Sequence, residues 1–184
     1  MGGIASKSQL RVSFARWALL CVPLILLLGF LSGRSVSGAD ENRWYLALAK
    51  PEVTPPGWVF PVAWTMLYIL IGLAVATVLN ARGARGRTLA VAMFAAQFAL
   101  NLAWTPLFFG AHMVGTALLV MVVMLLLSII TTALFGRIRA VAAWLMVPYL
   151  VWIGFATVLT WRIDRLNPNA ETLVPGAHTS QMIG

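Results

Sequence analysis

Residues 44–80 read WYLALAKPEVTPPGWVFPVAWTMLYILIGLAVATVLN, and this stretch decides the fold. Aromatic residues and prolines crowd its first half, and a predominantly apolar run from Trp58 to Asn80 fills the second half. About 20 such residues cross a hydrocarbon core of roughly 30 Å as a helix. The stretch therefore predicts a membrane-spanning helix behind an aromatic, proline-containing loop, which favours a hydrophobic binding site over a catalytic one.

The remaining sequence extends this prediction to the whole chain. Hydrophobic residues make up 61% of 184 positions and charged residues 10%, and the mean hydropathy is +0.90, unlike soluble domains. We predict an all-α integral membrane protein, a bundle of five transmembrane helices in a domain spanning 14–162. The five predicted helices are 14–32, 58–80, 88–110, 114–137 and 140–161. The other predicted parts are an N-terminal segment (1–13), a capping loop (33–57) and a polar, disordered tail (163–184).

The net charge of +8 is distributed unevenly over the two sides of such a bundle. Eight basic and no acidic residues fall on the side of the N-terminus, whereas the other side has five of each. Positive loops remain in the cytoplasm, so the N-terminus is expected inside and the C-terminus outside. The charge is interpreted as a topology signal that contacts membrane lipids, and not as a nucleic-acid site.

The N-terminus has a second interpretation. Basic residues, an apolar run from Trp17 to Leu31 and the small residues Ser37-Gly38-Ala39 resemble a signal peptide cleaved after residues 1–39. The apolar run is long and the small residues lie well beyond its end, which favours a retained first helix.

The capping loop also has two interpretations. The steps Lys50-Pro51 and Pro55-Pro56 restrict the backbone and predict a partly rigid cap over the bundle. Alternatively, Trp44, Tyr45 and Trp58 belong to the ordinary aromatic belt at the level of the lipid headgroups.

Helical projection places large rings together on two of the segments. Trp64 and Tyr68 share one face of the second segment, and Trp152 lies one turn from the small Ala156 on the fifth. Tyr O–H and Trp N–H groups need partners when they are buried, so these rings should face protein or a ligand. Simple helix packing would also account for them.

The third segment has two contrasting faces. Gln97, Asn101 and Trp104 lie on one face, where amides at membrane depth either connect helices or line a pocket. The other face is made of small residues that allow close helix packing, and it is a candidate packing or homodimer surface. Its members are Ala92, Ala95, Ala96, Ala99 and Ala103.

Some chemistries find no support in the sequence. The five carboxylates lie outside the apolar cores of the segments, which disfavours a proton-coupled pump. His112 and His178 have no cysteine pair nearby, so no metal site is predicted. No nucleophile, base and orienting group occur at motif spacing, and no cofactor is required.

Three separated motifs, on the second, third and fifth segments, resemble the translocator protein family (TspO/MBR, tryptophan-rich sensory proteins) over about residues 14–167. The matching positions are Trp44-Tyr45, Leu48, Lys50-Pro51, Pro55-Pro56, Trp58, Trp64, Leu67-Tyr68, Gln97, Leu100-Asn101, Trp104, Phe108-Phe109, Pro148-Tyr149, Trp152 and Phe155-Ala156. The resemblance implies a five-helix bundle, often a homodimer in a bacterial cell membrane, that binds tetrapyrroles such as protoporphyrin IX and haem.

The resemblance also implies a ligand pocket and a possible chemistry. The ligand-binding residues that carry over are Tyr45, Pro55, Trp64, Tyr68, Asn101, Trp104, Trp152 and Ala156. In bacterial relatives, the tryptophans matching Trp64 and Trp152 are tied to light-dependent porphyrin breakdown, which would make them catalytic. Thr160-Trp161 departs from the Asn-Tyr of many members, and this departure puts sterol binding in doubt.

Three functions therefore follow from the sequence. The first is a receptor or sensor that binds tetrapyrroles and assists their transport or regulates their metabolism, because no catalytic set accompanies the pocket. The second is an enzyme-like porphyrin degrader. The third is a structural or lipid- or sterol-binding membrane protein.

Overall fold

The computed structural model describes residues 7–173 and is helical, with no strand in that range. Five of its helices are long and apolar enough to span a membrane, as predicted. The helices are α1 (Lys7–Arg34), α2 (Arg43–Ala47), α3 (Val59–Asn80), α4 (Arg87–Thr105), α5 (Val114–Ile138) and α6 (Ala140–Leu166). The chain is thus a multi-pass integral membrane protein.

The helices extend beyond the predicted apolar windows at two places. Helix α1 begins at Lys7 and not at residue 14, and α6 ends at Leu166 and not at residue 161. Apolarity marks only the part of a helix inside the hydrocarbon core, whereas backbone hydrogen bonds continue into the interface. In α6, Ile163 is buried one turn after the buried Leu159, so the same packed face continues past the predicted end.

The long helices pack in a defined order. Helix α1 packs along α3, α3 also along α6, α6 along α5, and α5 along α4. The Ser32 hydroxyl of α1 donates a hydrogen bond to the Leu102 carbonyl of α4 at 2.6 Å and connects the two ends of this series. Because every long helix contacts two others, the bundle surrounds one main hydrophobic core.

Proline explains the end of α4. Pro106 has no N–H and cannot bond the carbonyl four residues earlier, which belongs to Leu102. The Ser32 hydroxyl bonds that carbonyl instead, and the chain continues as a π-helical turn over Pro106–Gly110. The predicted third helix, 88–110, is therefore an α-helix with a terminal π turn.

The capping loop is more structured than predicted. Residues 35–58, called the cap below, contain α2, and the Asn42 side chain accepts a hydrogen bond from the Tyr45 N–H at its start. Asn42 also donates to the Phe109 carbonyl at 3.0 Å. The buried Trp44 indole donates to the Ala170 carbonyl at 2.8 Å. These bonds fix the cap to α4 and to the segment after α6.

The prediction of a disordered tail is wrong for residues 163–173. Helix α6 covers 163–166, and Ala170–Thr172 forms a 3₁₀ turn in which Ala170 is buried. The Asn167 side chain donates to the Ala49 carbonyl and accepts from the Ala49 N–H, both at 2.8 Å. Polar composition concealed this order because the contacts are made to the cap, more than 100 residues away. Residues 1–6 and 174–184, including His178, lie outside the described residues.

Candidate functional site

Two hydrophobic cores meet beneath the cap. The main core lies between the long helices, and a smaller core joins α2 to the adjoining ends of α4, α5 and α6. Trp104 is partly buried and packs against both cores. The junction therefore lies on α4, at the end of the bundle that the cap covers.

An aromatic cluster lies at this junction. Trp64 of α3 contacts three rings, with centroid distances of 5.3 Å to Tyr68, 6.3 Å to Tyr149 and 6.4 Å to Trp152. The rings of Trp64 and Trp152 meet edge to face at 84°. Both indoles are only half-buried, so each keeps part of its surface available for contact. The structure thus brings together the two tryptophans singled out from the sequence.

Two phenylalanines extend the cluster toward the cap. Phe60 lies 6.1 Å from Trp152, edge to face, and Phe155 lies 5.9 Å from it. Both also pack against the cap core. Trp152 consequently joins the main cluster to the cap.

Trp104 has an unusual environment for an indole. Its ring stacks on Phe108 at 5.1 Å and 13°, and Phe109 meets it edge to face at 6.0 Å. Its Nε1 is buried and has no hydrogen-bond partner among the described residues. A buried indole N–H normally has an acceptor. The Trp104 N–H is therefore a donor ready for an acceptor on a ligand or a water molecule.

Polar side chains connect four helices below the rings. The Tyr68 hydroxyl donates to Asn101 Oδ1 at 2.9 Å, and Asn101 Nδ2 donates to the Tyr149 hydroxyl at 3.3 Å. Tyr149 donates to Gln97 Oε1 at 2.7 Å, and Ser128 Oγ lies 3.0 Å from the same oxygen. These five side chains come from α3, α4, α6 and α5, so one hydrogen-bonded chain crosses the bundle.

Gln97 ends this chain with an unpaired group. Its side chain is fully buried, and its Nε2 has no hydrogen-bond partner in the part of the chain that the structure describes. An unpaired amide in an apolar interior carries a large desolvation cost. The interior of the bundle therefore holds a second free donor, on the same face of α4 as Trp104 and one turn or more deeper.

Tyr45 brings the cap to the junction. Its ring meets Phe109 at 5.2 Å and Phe108 at 6.1 Å, both edge to face, and the Lys50 ammonium lies 4.7 Å above it. Burial, with a smaller effect of the Asp40 carboxylate, raises the pKa of Tyr45 to about 12. Burial also lowers the pKa of Lys50. The phenol is thus held neutral at the inner surface of the cap.

The two remaining predicted residues differ in their placement. Ala156 is buried in the main core, one turn after Trp152 on α6. Pro55 lies in the cap and is half-buried, and it belongs to neither hydrophobic core. Seven of the eight predicted ligand residues therefore belong to or pack against the two adjoining cores, and Pro55 does not.

A glycine of α1 allows the position of Tyr68. A Cβ atom at Gly29 would overlap the Tyr68 ring, so the absence of a side chain there permits the ring to lie against α1. Tyr68 also meets Phe98 edge to face at 6.1 Å. The sequence analysis did not identify Gly29, because nothing in its local pattern reveals a partner on another helix.

The described clefts lie elsewhere. One of about 850 Å³ opens at the arginine-rich end of the bundle, and one of about 470 Å³ lies between residues 51–53 of the cap and the end of α6. The rings of Trp64 and Trp152 instead contact each other. A flat ligand at the junction would have to separate packed rings.

Comparison with known proteins agrees with these features. The sequence profile of the TspO/MBR family matches residues 21–166. The chain belongs to the TspO/MBR family. The Tryptophan-rich sensory protein of Cereibacter sphaeroides is 41% identical over 155 residues, covering 83% of this chain and 94% of that protein. The Tryptophan-rich protein TspO of Chlorobaculum tepidum is 37% identical over 150 residues, covering 81% and 94%. The Translocator protein of Homo sapiens is 34% identical over 140 residues, covering 75% and 82%.

In this TspO/MBR-family chain, sequence reasoning overlooked part of the polar interior. Tyr149 and Gln97 were placed on the inward faces of their segments but were not among the predicted ligand residues. Ser128 was missed altogether, since α5 looks uniformly apolar. The buried Met121 and Met124 of the same helix pack in the main core. The spacing of Met121, Met124 and Ser128 was the only available signal, because all three lie on one helical face.

The alanine face of this TspO/MBR-family chain points away from the main core. Ala92, Ala95, Ala96 and Ala99 are exposed, and Ala103 is half-buried. The opposite face of α4 carries the buried Phe94, Gln97 and Asn101. The division into two faces was predicted, and the small-residue face is uncovered in the single chain.

Proposed function

We propose that this protein is a membrane receptor or sensor that binds tetrapyrroles, such as protoporphyrin IX or haem, between α3, α4 and α6 beneath the cap. The observation that carries the proposal is the meeting of Trp64, Trp104 and Trp152 near the cap, with the buried Trp104 N–H unpaired. Names of relatives such as Tryptophan-rich sensory protein and Translocator protein support a sensing or carrier role.

The chemistry of the junction fits a flat aromatic ligand. Indole rings offer stacking faces, and pockets for hydrophobic ligands combine apolar walls with few polar groups. Trp104 Nε1 supplies such a donor, and the Asn101 amide already pairs with two phenols. A ligand that opened the ring cluster would gain stacking surface and satisfy the indole N–H.

A titration of the purified protein with protoporphyrin IX tests this proposal. Saturable quenching of tryptophan fluorescence is expected, because three indoles lie at the proposed site. Trp152→Phe should weaken binding and reduce the quenching. The matched control is Trp144→Phe on the same helix, since the Trp144 side chain is 73% exposed. Equal quenching curves for parent and Trp152→Phe would move the site away from α6.

A second candidate function is light-dependent porphyrin degradation. The edge-to-face contact of Trp64 and Trp152 favours it, because an excited porphyrin between these rings would accept an electron from an adjacent indole. Replacement of both residues by Phe keeps the aromatic bulk and removes the indole chemistry. Spectra of porphyrin-loaded parent and double variant, in light and in darkness, should differ in the loss of porphyrin absorbance. Loss at the parent rate in the double variant would end this candidate.

We also infer that the N-terminus lies in the cytoplasm, in a bacterial cell membrane. The positive charge concentrated at one end of the bundle supports this orientation. A Cys21→Ser background leaves no cysteine, and Arg85→Cys then places a single thiol in the α3–α4 loop. A membrane-impermeant maleimide should label this thiol only after the cells are opened. Labelling of intact cells would reverse the orientation.

A further inference from the structure

The larger cleft of the molecule lies at the end opposite to the cap. It measures about 850 Å³ and is bounded by the start of α1, the α3–α4 loop and the junction of α5 with α6. Its lining residues are Gln9, Leu10, Val12, Ser13, Arg16, Asn80, Ala81, Arg82, Gly83, Ala84 and Arg139. The cleft shares no residue with the aromatic cluster, and the tetrapyrrole proposal leaves it unexplained.

Three guanidinium groups from separate parts of the chain line this cleft. Arg16 comes from α1, Arg82 from the α3–α4 loop, and Arg139 from the residue between α5 and α6. All five acidic residues of the chain belong to the cap, to the last turn of α6 or to the segment that follows it. These residues are Asp40, Glu41, Glu52, Asp164 and Glu171. The arginines therefore line the cleft without a carboxylate on their side of the bundle.

The remaining walls combine apolar and amide groups. Leu10, Val12 and Ala84 supply aliphatic surface at the ends of helices that span the membrane. Asn80 Oδ1 is buried and has no hydrogen-bond partner among residues 7–173. The oxygen and nitrogen of an amide exchange places on rotation, so the Asn80 side chain offers the cleft either an acceptor or a donor.

We propose that this cleft binds the phosphate group of an anionic phospholipid at the membrane surface. Guanidinium groups pair with phosphate through charge-assisted hydrogen bonds, and basic pockets between transmembrane helices suit lipid headgroups. The aliphatic walls would contact the start of the acyl chains, and Asn80 would bond a headgroup or glycerol oxygen. A topology signal explains the basic charge but not its convergence on one concave site.

Lipid binding to the full chain tests the proposal. The protein is reconstituted in phosphatidylcholine nanodiscs that contain spin-labelled phosphatidylglycerol, and the immobilised lipid fraction is measured as the labelled lipid increases. The cleft variant combines Arg16→Gln, Arg82→Gln and Arg139→Gln. It should bind phosphatidylglycerol at least about ten-fold more weakly than the parent, since each surface arginine contributes about a factor of five.

A matched control separates the cleft from general surface charge. Arg11→Gln, Arg85→Gln and Arg137→Gln remove the same charge from the same end, at exposed residues outside the cleft lining. This control should bind nearly as the parent does. Equal loss in both triple variants would overturn the proposal, because the attraction would then be non-specific.

Two further measurements keep the test decisive. Ala84→Phe fills the cleft without changing charge and should also release the labelled lipid; full retention would overturn the site. Labelled phosphatidylcholine with the same acyl chains should show no dependence on the arginines. Displacement of the lipid by millimolar glycerol phosphate would assign the cleft to a soluble phosphate compound and overturn the lipid assignment, whereas resistance supports it.

Discussion

At the scale of single residues, Ala156 combines a small side chain with a position in the main core beside Trp152. Ala156→Thr adds a branched, polar side chain to a packed site, and overpacking typically costs about 1 to 3 kcal/mol. A ten-fold change in affinity corresponds to about 1.4 kcal/mol, so protoporphyrin IX should bind about five-fold to a hundred-fold more weakly. Isothermal titration at equal detergent concentration measures this.

The control for Ala156 lies on the outer surface of the same helix. Val151→Thr introduces the same residue type at a side chain that is 67% exposed. It should leave protoporphyrin affinity unchanged. Equal affinities of Ala156→Thr and the parent would place Ala156 outside the ligand surface.

Asn101 joins two phenols from different helices, and its loss should loosen the bundle. Asn101→Leu keeps the volume but removes both interhelical hydrogen bonds. Such bonds in membranes contribute about 0.6 kcal/mol on average and up to about 1.7. We expect a destabilisation of about 1 to 3 kcal/mol, because two buried phenols lose a partner as well. Thermal unfolding in mild detergent measures the change.

Thr157 provides the comparison for Asn101. Its hydroxyl bonds the Ile153 carbonyl of its own helix, so Thr157→Val removes no interhelical hydrogen bond. Unfolding at the same temperature for Asn101→Leu and Thr157→Val would show that the polar chain does not stabilise the bundle.

At the scale of helices, α4 has an uncovered face of alanines. We propose that this face packs against a second copy of the chain. Small residues let helix backbones approach closely, and Ala99→Leu inserts bulk where a partner would pack. The dimer fraction in mild detergent should fall, as measured by light scattering. Ala133→Leu makes the same change at an exposed position of α5 and should preserve the oligomer. A dimer unaffected by Ala99→Leu would exclude this face.

The cap is held by few hydrogen bonds, and Asn167 makes two of them. Asn167→Ala removes both bonds to Ala49 and should increase the opening of the cap. Hydrogen exchange of residues 43–50 should become several-fold faster, since each lost bond corresponds to about 1 kcal/mol. Asn169→Ala, at an exposed residue of the same segment, serves as the control. Unchanged exchange would mean that other contacts hold the cap.

For the whole molecule, stability at high pH should depend on Tyr45. Its folded pKa of about 12 lies above the ordinary value of 10.0, because burial disfavours the phenolate. The folded state binds this proton more tightly, so the contribution is complete below pH 10 and is lost as the pH rises through about 12. Between those values the parent should lose more stability than Tyr45→Phe. Lys50 is present in both proteins, so its own titration cancels. Parallel losses would contradict this.

The sequence alone determined the architecture of this protein. Apolar windows of sufficient length fix five spanning helices, because a backbone in lipid must satisfy its hydrogen bonds within each segment. Helical periodicity on α4 also separated the Gln97 and Asn101 face from the alanine face, since both follow from spacing along one helix. The motifs that resemble the TspO/MBR family lie on these same helices.

Only the tertiary structure decided what the separate faces contact. Gly29 makes room for Tyr68, Ser128 completes the polar chain at Gln97, and Asn167 holds the cap at Ala49. Each pair joins residues at least 31 positions apart. Local pattern records which side of a helix is buried, but the partner depends on how helices pack and rotate against one another. The order of residues 163–173 has the same origin, since it comes from contacts with the cap and not from composition.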